Sequence, residues 1–294
     1  MVLLPILHGA PATTTAGWWH WHLHPDVWLF CIVLEALYLY AVIWLRQSAS
    51  DAGRVKRRQV WLFSGGVFTI WLAAGTPIHD IGEQYLLSVH MLEHTMLTFV
   101  AAPLLLAGIP SWLWQVPLRV RGVLPAARVL VHPIVILFVV NMTFVVLHLP
   151  AVLDLSLRSE PFHFTWHAVL VAVSILMWWP ILSDVPELPR ISYPMQMAYL
   201  FVQSLIPMVV ASFITFADHA IYAPYVQAPR LWGLSPIADQ QIAGGLMKTF
   251  GALVIWWFIG LAFFRWYRDS QAEEKGPRWS DVQEELDQLG LSHR

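Results

Sequence analysis

Charged side chains are scarce in this sequence, and long stretches carry none. Asp, Glu, Lys and Arg make up 12% of the 294 residues, whereas 57% are hydrophobic. A soluble domain carries about 25% charged residues, so the composition predicts a multi-pass protein of the cell membrane. The net charge of -2 and the lack of a basic motif predict no nucleic-acid partner, and membrane lipid is the expected surrounding.

Cysteine is nearly absent too. Cys31 stands alone, which excludes an internal disulfide and any CxxC metal or redox motif. The first residues, Met1 to Leu7, are apolar but short and follow no positive charge, so they do not read as a signal peptide. We interpret residues 1–25 as an extracytoplasmic tail rich in His and Trp. Histidine, by contrast, occurs 13 times, more than membrane-interface packing explains.

The apolar runs predict an all-α bundle of seven transmembrane helices over residues 26–267, followed by a cytoplasmic tail, 268–294. Ser280 and Gln283 have the spacing of a capping box, so this tail is expected to contain a short helix. The expected spans are Asp26–Leu45, Gln59–Thr76, Gln84–Ala107, His132–Leu149, Phe162–Ile181, Pro194–Phe216 and Asp239–Phe264.

The loop charges predict the orientation. Nearly all Lys and Arg fall in the loops after spans 1, 3 and 5 and in the C-terminal tail, and only Arg158 and Arg230 lie in the other loops. Positive loops stay in the cytoplasm, so the N-terminus is expected outside and the C-terminus inside. In this topology ten histidines lie in the outer loops or in the outer halves of spans.

Two histidine pairs share one spacing. His90 and His94 lie four residues apart in span 3, and His163 and His167 repeat this in span 5. Residues at i and i+4 lie on one helix face, so each pair can reach one metal ion or cofactor. Ionisable groups in hydrocarbon usually mark function. His148, at the end of span 4, could supply another imidazole or be an interfacial helix-end residue.

Imidazole suits Zn, Cu, Fe and Ni, whereas thioether favours Cu(I). Met247, two turns into span 7, lies at a depth similar to that of His94 and His167, so copper is the favoured metal. Asp239 begins the same span, where it suits a helix cap. A second candidate metal site is the alternating tract His20, His22 and His24, which reads either as an outer copper-acquisition site or as an interfacial belt.

Three buried charges need partners. Glu35, Glu93 and Lys248 lie within spans 1, 3 and 7. An unpaired charge there is costly, so the simplest arrangement pairs Lys248 with Glu93 or Glu35. The alternative, left open here, is that a glutamate hydrogen-bonds a histidine and fixes its tautomer. The long loop Ala217 to Ala238 could cover the site or dock a partner.

Several motifs in fixed order resemble the multispanning CtaG family of cytochrome c oxidase assembly factors. They are His90-Met91-x-x-His94-x-Met96, Ala102-Pro103-Leu104, His148-Leu149-Pro150, His163/His167 before Trp178-Trp179-Pro180, and Asp239-Gln240-x-x-Ala243-Gly244-Gly245-x-Met247. The resemblance covers about Asp26 to Tyr267 and implies a seven-helix, non-enzymatic factor that supplies copper to an oxidase subunit. It implies a shared polar set, which we predict to be the metal-binding residues: His90, His94, His148, His163, His167, Asp239 and Met247. How they divide among one or two metal sites does not follow from the resemblance.

Three other functions fit parts of the sequence. His90-x-x-Glu93-His94 has the form of an HxxEH zinc hydrolase motif. His94 and His167 could be axial ligands of a b-type haem. A scaffold whose histidines only build polar packing is the third, although the crowding of histidines on one side disfavours it. Whether the chain forms a homo-oligomer stays open.

Overall fold

The architecture is a helical membrane bundle. The structure, a computed structural model, describes residues 22–44, 55–274, 283 and 286–288. In these ranges the secondary structure is helical without strands, as predicted. The helices are α1 (Pro25–Trp44), α2 (Arg57–Ala74), α3 (Pro77–Gln84), α4 (Leu87–Met96), α5 (Ala102–Gly108), α6 (Ser111–Leu118), α7 (Val123–Leu130), α8 (Pro133–Leu147), α9 (Pro150–Arg158), α10 (Glu160–Leu182), α11 (Tyr193–Phe216), α12 (Ala223–Gln227) and α13 (Pro236–Glu274).

Within the described residues, between five and seven segments are long and apolar enough to cross a membrane. Five qualify as single segments: α1, the run Leu87–Gly108, α10, α11 and the first 36 residues of α13. Two more arise if the bent pairs α2 with α3 (44°) and α7 with α8 (67°) each cross once. The helices expose large apolar side chains such as Trp61, Ile134 and Phe213, as lipid contact requires. The side on which each terminus lies stays a prediction.

The helix ends differ from those predicted where short helices replace expected loops. The segment with His79, Asp80 and Glu83 is helix α3, begun by Pro77 after the Thr76 cap, rather than a loop. The loop expected between spans 4 and 5 is helix α9. Helix α13 continues past the expected end at Phe264 to Glu274. Of the predicted tail helix, Gln283 and residues 286–288 are helical, whereas Ser280 lies outside the described residues.

A π-helical turn, Leu97–Ala101, divides the predicted span 3 just after His94. Pro103 follows it and has no N–H to donate, which disrupts regular α-helical bonding. The Trp178 indole N–H donates to the carbonyl of Thr98 at 2.9 Å, and Ser174 Oγ donates to Thr98 Oγ at 3.2 Å. The turn therefore attaches α10 to α4 and fixes the relative position of their histidines.

Two close approaches hold the helices that carry the site. A Cβ on Gly82 would lie 3.0 Å from the His90 backbone, so only glycine lets α3 pack so tightly on α4. A Cβ on Gly244 would clash with Thr215 Oγ1, so only glycine at this position lets α13 pack this closely on α11. Asp239 at the start of α13 then accepts hydrogen bonds from the Leu87 and Ser88 N–H groups at 2.7 and 3.1 Å, and from Ser88 Oγ at 2.5 Å. This carboxylate caps α4 and suits its positive dipole end.

Candidate metal centre

The two predicted histidine pairs meet in the structure. His90 and His94 extend from α4, and His163 and His167 face them from the first turns of α10. The ring centroids lie 4.4 Å apart within the first pair, 4.3 Å within the second, and 5.1 Å between His94 and His167. His90 and His163 are almost fully buried, with 1% and 5% of their surface exposed. We call these four residues the imidazole cluster.

Three Nε2 atoms converge within the imidazole cluster. His167 Nε2 lies 3.1 Å from His94 Nε2 and 3.3 Å from His163 Nε2. With metal–imidazole bonds of about 2.0–2.1 Å, ligand nitrogens on one ion lie about 3.3–3.6 Å apart, so small shifts would seat an ion. A void of about 10 Å³ lies among the four rings, bordered by Trp166 and Leu153. This is about the space of one small ion or one water molecule.

Glu83 on α3 orients His163. The His163 Nδ1 atom lies 2.5 Å from Glu83 Oε1, so Nδ1–H donates to the carboxylate. In the neutral imidazole the proton on Nδ1 leaves a lone pair on Nε2, the atom that faces His167. A carboxylate behind a ligand imidazole is the usual arrangement at protein metal sites, where it fixes the tautomer and raises the basicity of the ligand.

His79 is the residue that the sequence interpretation left out of the site. Its Nδ1 lies 3.0 and 3.1 Å from the two Glu93 oxygens, and its Nε2 lies 3.3 Å from Glu83 Oε1. Ligand atoms of His79, His163 and His167 lie within 4.8 Å of one another, a spacing that could hold a metal ion. Both His79 nitrogens, however, already face carboxylates and are placed to donate, so we favour the imidazole cluster as the ligand set.

Glu93 therefore pairs with histidine rather than with lysine. Its carboxylate is fully buried and also lies 3.7 Å from His167 Nε2. Glu35 accepts a hydrogen bond from Ser64 Oγ at 2.5 Å. The Lys248 ammonium lies 5.7 Å from the centroid of the Phe216 ring. Of the two arrangements left open by the sequence, the contact between a glutamate and a histidine is the one found, and Lys248 forms no ion pair with Glu93 or Glu35 among the described residues. Helix α3, which sequence reasoning treated as a loop, supplies Glu93 with its closer partner.

Four buried imidazole nitrogens have no hydrogen-bond partner within the described residues. Two of them are Nδ1 and Nε2 of His90, and the other two are His94 Nδ1 and His148 Nε2. A buried polar atom left unpaired costs roughly 1–3 kcal/mol. A neutral imidazole has one lone pair, so His90 and His148 each have one lone pair that no described residue uses and that a metal ion could take.

The remaining predicted residues lie around the imidazole cluster. His148 Nδ1 donates to the Phe144 carbonyl at 2.7 Å, and the ring stacks on Phe144. Met247 is partly buried in an apolar cluster with Leu87 and Met91. Both carboxylate oxygens of Asp239 accept hydrogen bonds from N–H groups at the start of α4. This gives Asp239 a positioning role rather than a ligand role.

Two segments beyond the spans also reach the site. The His24 ring is buried, hydrogen-bonds Asp80 Oδ1 at 3.1 Å and meets His79 edge-on at 4.9 Å. The His22 N–H donates to Asp80 Oδ2 at 2.9 Å, whereas His20 lies outside the described residues. From the short helix α12, the Tyr225 hydroxyl donates to the Gly82 carbonyl at 2.7 Å, and its ring centroid lies 6.4 Å from that of His90. Burial and the nearby Glu83 carboxylate raise the pKa of Tyr225 well above its usual value, so it stays a donor.

Comparison with protein families decides the identity. A family model described as cytochrome c oxidase caa3 assembly factor (Caa3_CtaG) matches residues 36–269, which include every helix that carries the imidazole cluster. The chain belongs to the CtaG family. No match was found among curated proteins or among solved structures. The resemblance read from the sequence motifs is confirmed, and with it a membrane protein that assists cytochrome c oxidase assembly.

For this CtaG protein, the sequence contained a signal for the missed residues. His79 and Glu83 are four residues apart, which is also the spacing within each histidine pair. At this spacing two side chains lie on one face of a helix. The segment is short and polar, so it was interpreted as a loop between two spans. From the sequence, Glu93 was considered as a partner of Lys248, as a hydrogen-bond partner of a histidine and as the glutamate of an HxxEH motif, and the first two were left open.

Proposed function

We propose that this CtaG protein binds copper at the imidazole cluster and passes it to a cytochrome c oxidase subunit. The observation that carries the proposal is the convergence of three Nε2 atoms, at 3.1 and 3.3 Å, beside a void that would hold one ion. Neutral imidazole is a good ligand for copper. His90, His94, His163 and His167 would be the ligands, and Glu83 and Glu93 would hold them in orientation.

The surroundings suit a cargo ion better than a reacting one. Glu93 cannot serve as a free general base while both of its oxygens accept from His79, which disfavours the zinc hydrolase. His94 and His167 nitrogens at 3.1 Å leave no space for a porphyrin between them, which disfavours the haem. Copper held by exchangeable imidazoles, without a thiolate, can be released to a partner with a stronger site.

The test compares wild type with His90→Ala/His94→Ala. Each protein is purified in detergent and loaded with copper, and its metal content and absorption spectrum are measured. In cells that lack the native protein, the copper content of the purified oxidase is measured with each version. We expect about one copper ion per chain in wild type, little in the double variant, and a copper-poor oxidase with that variant. The matched control is His132→Ala, because His132 is exposed and directly precedes α8.

Three outcomes would contradict the proposal. Full copper binding in the double variant would remove the imidazole cluster as the site. Zinc retained in preference to copper, or iron with a Soret band, would replace copper with the hydrolase or haem function. An oxidase with full copper when His90 and His94 are both absent would separate assembly from metal delivery.

A further inference from the structure

Two short helices, α6 and α7, lie at the end of the bundle opposite to the imidazole cluster. They follow Gly108, which ends the run Leu87–Gly108 and lies roughly 21 Å from His94 along that run at about 1.5 Å per residue. Helix α7 meets the following apolar helix α8 at 67°, so α7 runs closer to the plane of the membrane than to its normal when α8 crosses. We call α6, α7 and the turn between them the basic elbow. It lies at a membrane surface, where the chain leaves one span and enters the next.

The basic elbow packs on the bundle with one face and leaves the other uncovered. Trp114 of α6 meets Trp179 edge-on at 4.9 Å, and Leu124 and Ala127 of α7 pack against the same buried core. None of the residues in the two helices is fully buried. The apolar side chains that stay exposed are Val116, Val120, Val129 and Leu130. Short helices that expose apolar side chains at a membrane surface place them among the acyl chains.

Three arginines of the basic elbow have no carboxylate partner. Arg119 and Arg121 lie in the turn and Arg128 in the last turn of α7, and all three are exposed. Residues 94–153 contain no Asp or Glu. In the part of the chain that the structure describes, the ion pairs of arginine are formed by other arginines. The counter-ion of these three cations must therefore come from outside the described chain.

A carboxylate that contacts the basic elbow does not supply this counter-ion. The two oxygens of Glu187 accept hydrogen bonds from Gln115 Nε2 at 3.1 and 3.2 Å, so they face an amide of α6 rather than an arginine. Guanidinium groups bind phosphate through two parallel hydrogen bonds, and the phosphates of a bilayer lie at the depth of an interfacial helix. A lipid with net negative charge fits best, because a zwitterionic head carries its own cation.

We propose that the basic elbow binds an anionic phospholipid of the membrane. The phosphate lies on Arg119, Arg121 and Arg128, and the acyl chains lie against the exposed valines of the elbow. A bound lipid of this kind holds α7 in the plane of the interface, and with it the bend between α7 and α8. The site is independent of the copper proposal, since it lies at the other end of the run that carries His90 and His94.

The test measures lipid binding by the full chain in detergent with native mass spectrometry. The titrants are phosphatidylglycerol, phosphatidylcholine with the same acyl chains, and glycerol phosphate, which has the anionic head without the chains. We expect phosphatidylglycerol to bind at least ~10-fold more tightly than either of the others, since each arginine near an anionic head contributes roughly a fivefold gain in affinity. Added salt should weaken the binding of phosphatidylglycerol more than that of phosphatidylcholine.

Two triple variants provide the decisive comparison. Arg119→Gln/Arg121→Gln/Arg128→Gln removes the unpaired cations, and we expect it to bind phosphatidylglycerol at least ~10-fold more weakly than wild type. The matched control removes the same number of exposed arginines, each of which has an aspartate partner, and should leave the affinity unchanged. This control is Arg158→Gln/Arg190→Gln/Arg268→Gln. Thermal unfolding in detergent without added lipid shows that both variants are folded.

Other results would overturn the proposal. Equal affinity of wild type and the folded elbow variant would place the bound lipid elsewhere. An equal loss in the control variant would mean that net charge alone attracts the lipid. Phosphatidylcholine bound as tightly as phosphatidylglycerol would mean that the arginines do not select an anionic head. Glycerol phosphate bound as tightly would mean a site for a free phosphate. Because no metal is added, failure of this measurement leaves copper binding untouched, and failure of copper binding leaves this measurement valid.

Discussion

The two sides of the histidine site are built differently. On the side formed by α3, the two nitrogens of His79 face Glu93 and Glu83, and Glu83 also fixes His163. We call this the carboxylate side. On the side formed by α4, His90 has no hydrogen-bond partner on either nitrogen, and His94 has none on Nδ1. We call this the bare side. The carboxylate side is positioned before any metal arrives, whereas His90 on the bare side has a lone pair that nothing else in the described structure uses.

The difference suggests a division of work. Hydrogen-bonded imidazoles hold their tautomer and orientation, so they keep the site in shape when it is empty. Unpaired nitrogens lower the stability of the metal-free protein. They are also the nitrogens that gain the most interaction energy when an ion binds. Such a site would favour binding of an ion. The filled site would still not be so stable that the ion could not leave. His167 joins the two sides, because its Nε2 contacts both His94 and His163.

The largest effect is expected at this shared residue. His167→Ala removes the nitrogen on which the other two converge, so copper affinity should fall by more than the roughly 10–100-fold that loss of a supporting residue costs. Equilibrium titration against a copper chelator measures the change. His132→Ala should leave the dissociation constant unchanged. If His167→Ala binds copper as tightly as wild type, the two sides are not joined through this atom.

The next largest effect is expected at Glu93. Glu93→Gln keeps the shape but removes the charge that both His79 and His167 face. Copper affinity should fall about 10–100-fold, and the free energy of unfolding should fall by about 1.5–3 kcal/mol because charge-assisted hydrogen bonds are lost. Chelator titration and thermal unfolding measure the two quantities. Glu187→Gln, an exposed change, is the matched control. Unchanged copper binding would show that the carboxylate side does not orient ligands.

A smaller effect of opposite sign distinguishes the two sides directly. His90→Leu replaces a ring with two unpaired nitrogens by an apolar side chain, so the metal-free protein should gain about 1 kcal/mol of stability. His79→Leu leaves the buried Glu93 without its closest partner and should destabilise the protein. Thermal unfolding of the two metal-free variants, side by side, measures both. A loss of stability in His90→Leu comparable to that in His79→Leu would mean that the sides do not differ.

Sequence reasoning found the bare side and the histidines of α10 because their spacing follows the helix period. The predicted all-helical class and the positions of the long helices came from the apolar runs, and the family came from motifs in a fixed order. The carboxylate side was missed because α3 is only eight residues long and begins at a proline, so too few residues show a helical period. The partner of Glu93 stayed open because a contact between α3 and α4 depends on the close approach at Gly82, which no spacing along the chain reveals.

The smallest effect is expected at Asp239, which supports the bare side from a distance. Asp239→Asn keeps one oxygen acceptor for the α4 N–H groups but loses the charge and one acceptor, so about 1 kcal/mol of stability should be lost. The Asp239 oxygens accept hydrogen bonds from Leu87 and Ser88 rather than from a histidine. Copper affinity should therefore change less in Asp239→Asn than in Glu93→Gln. Asp218→Asn, in the exposed loop after α11, is the matched control. A loss of copper from Asp239→Asn as large as that from His167→Ala would make this carboxylate a ligand, and the bare side would then extend to α13.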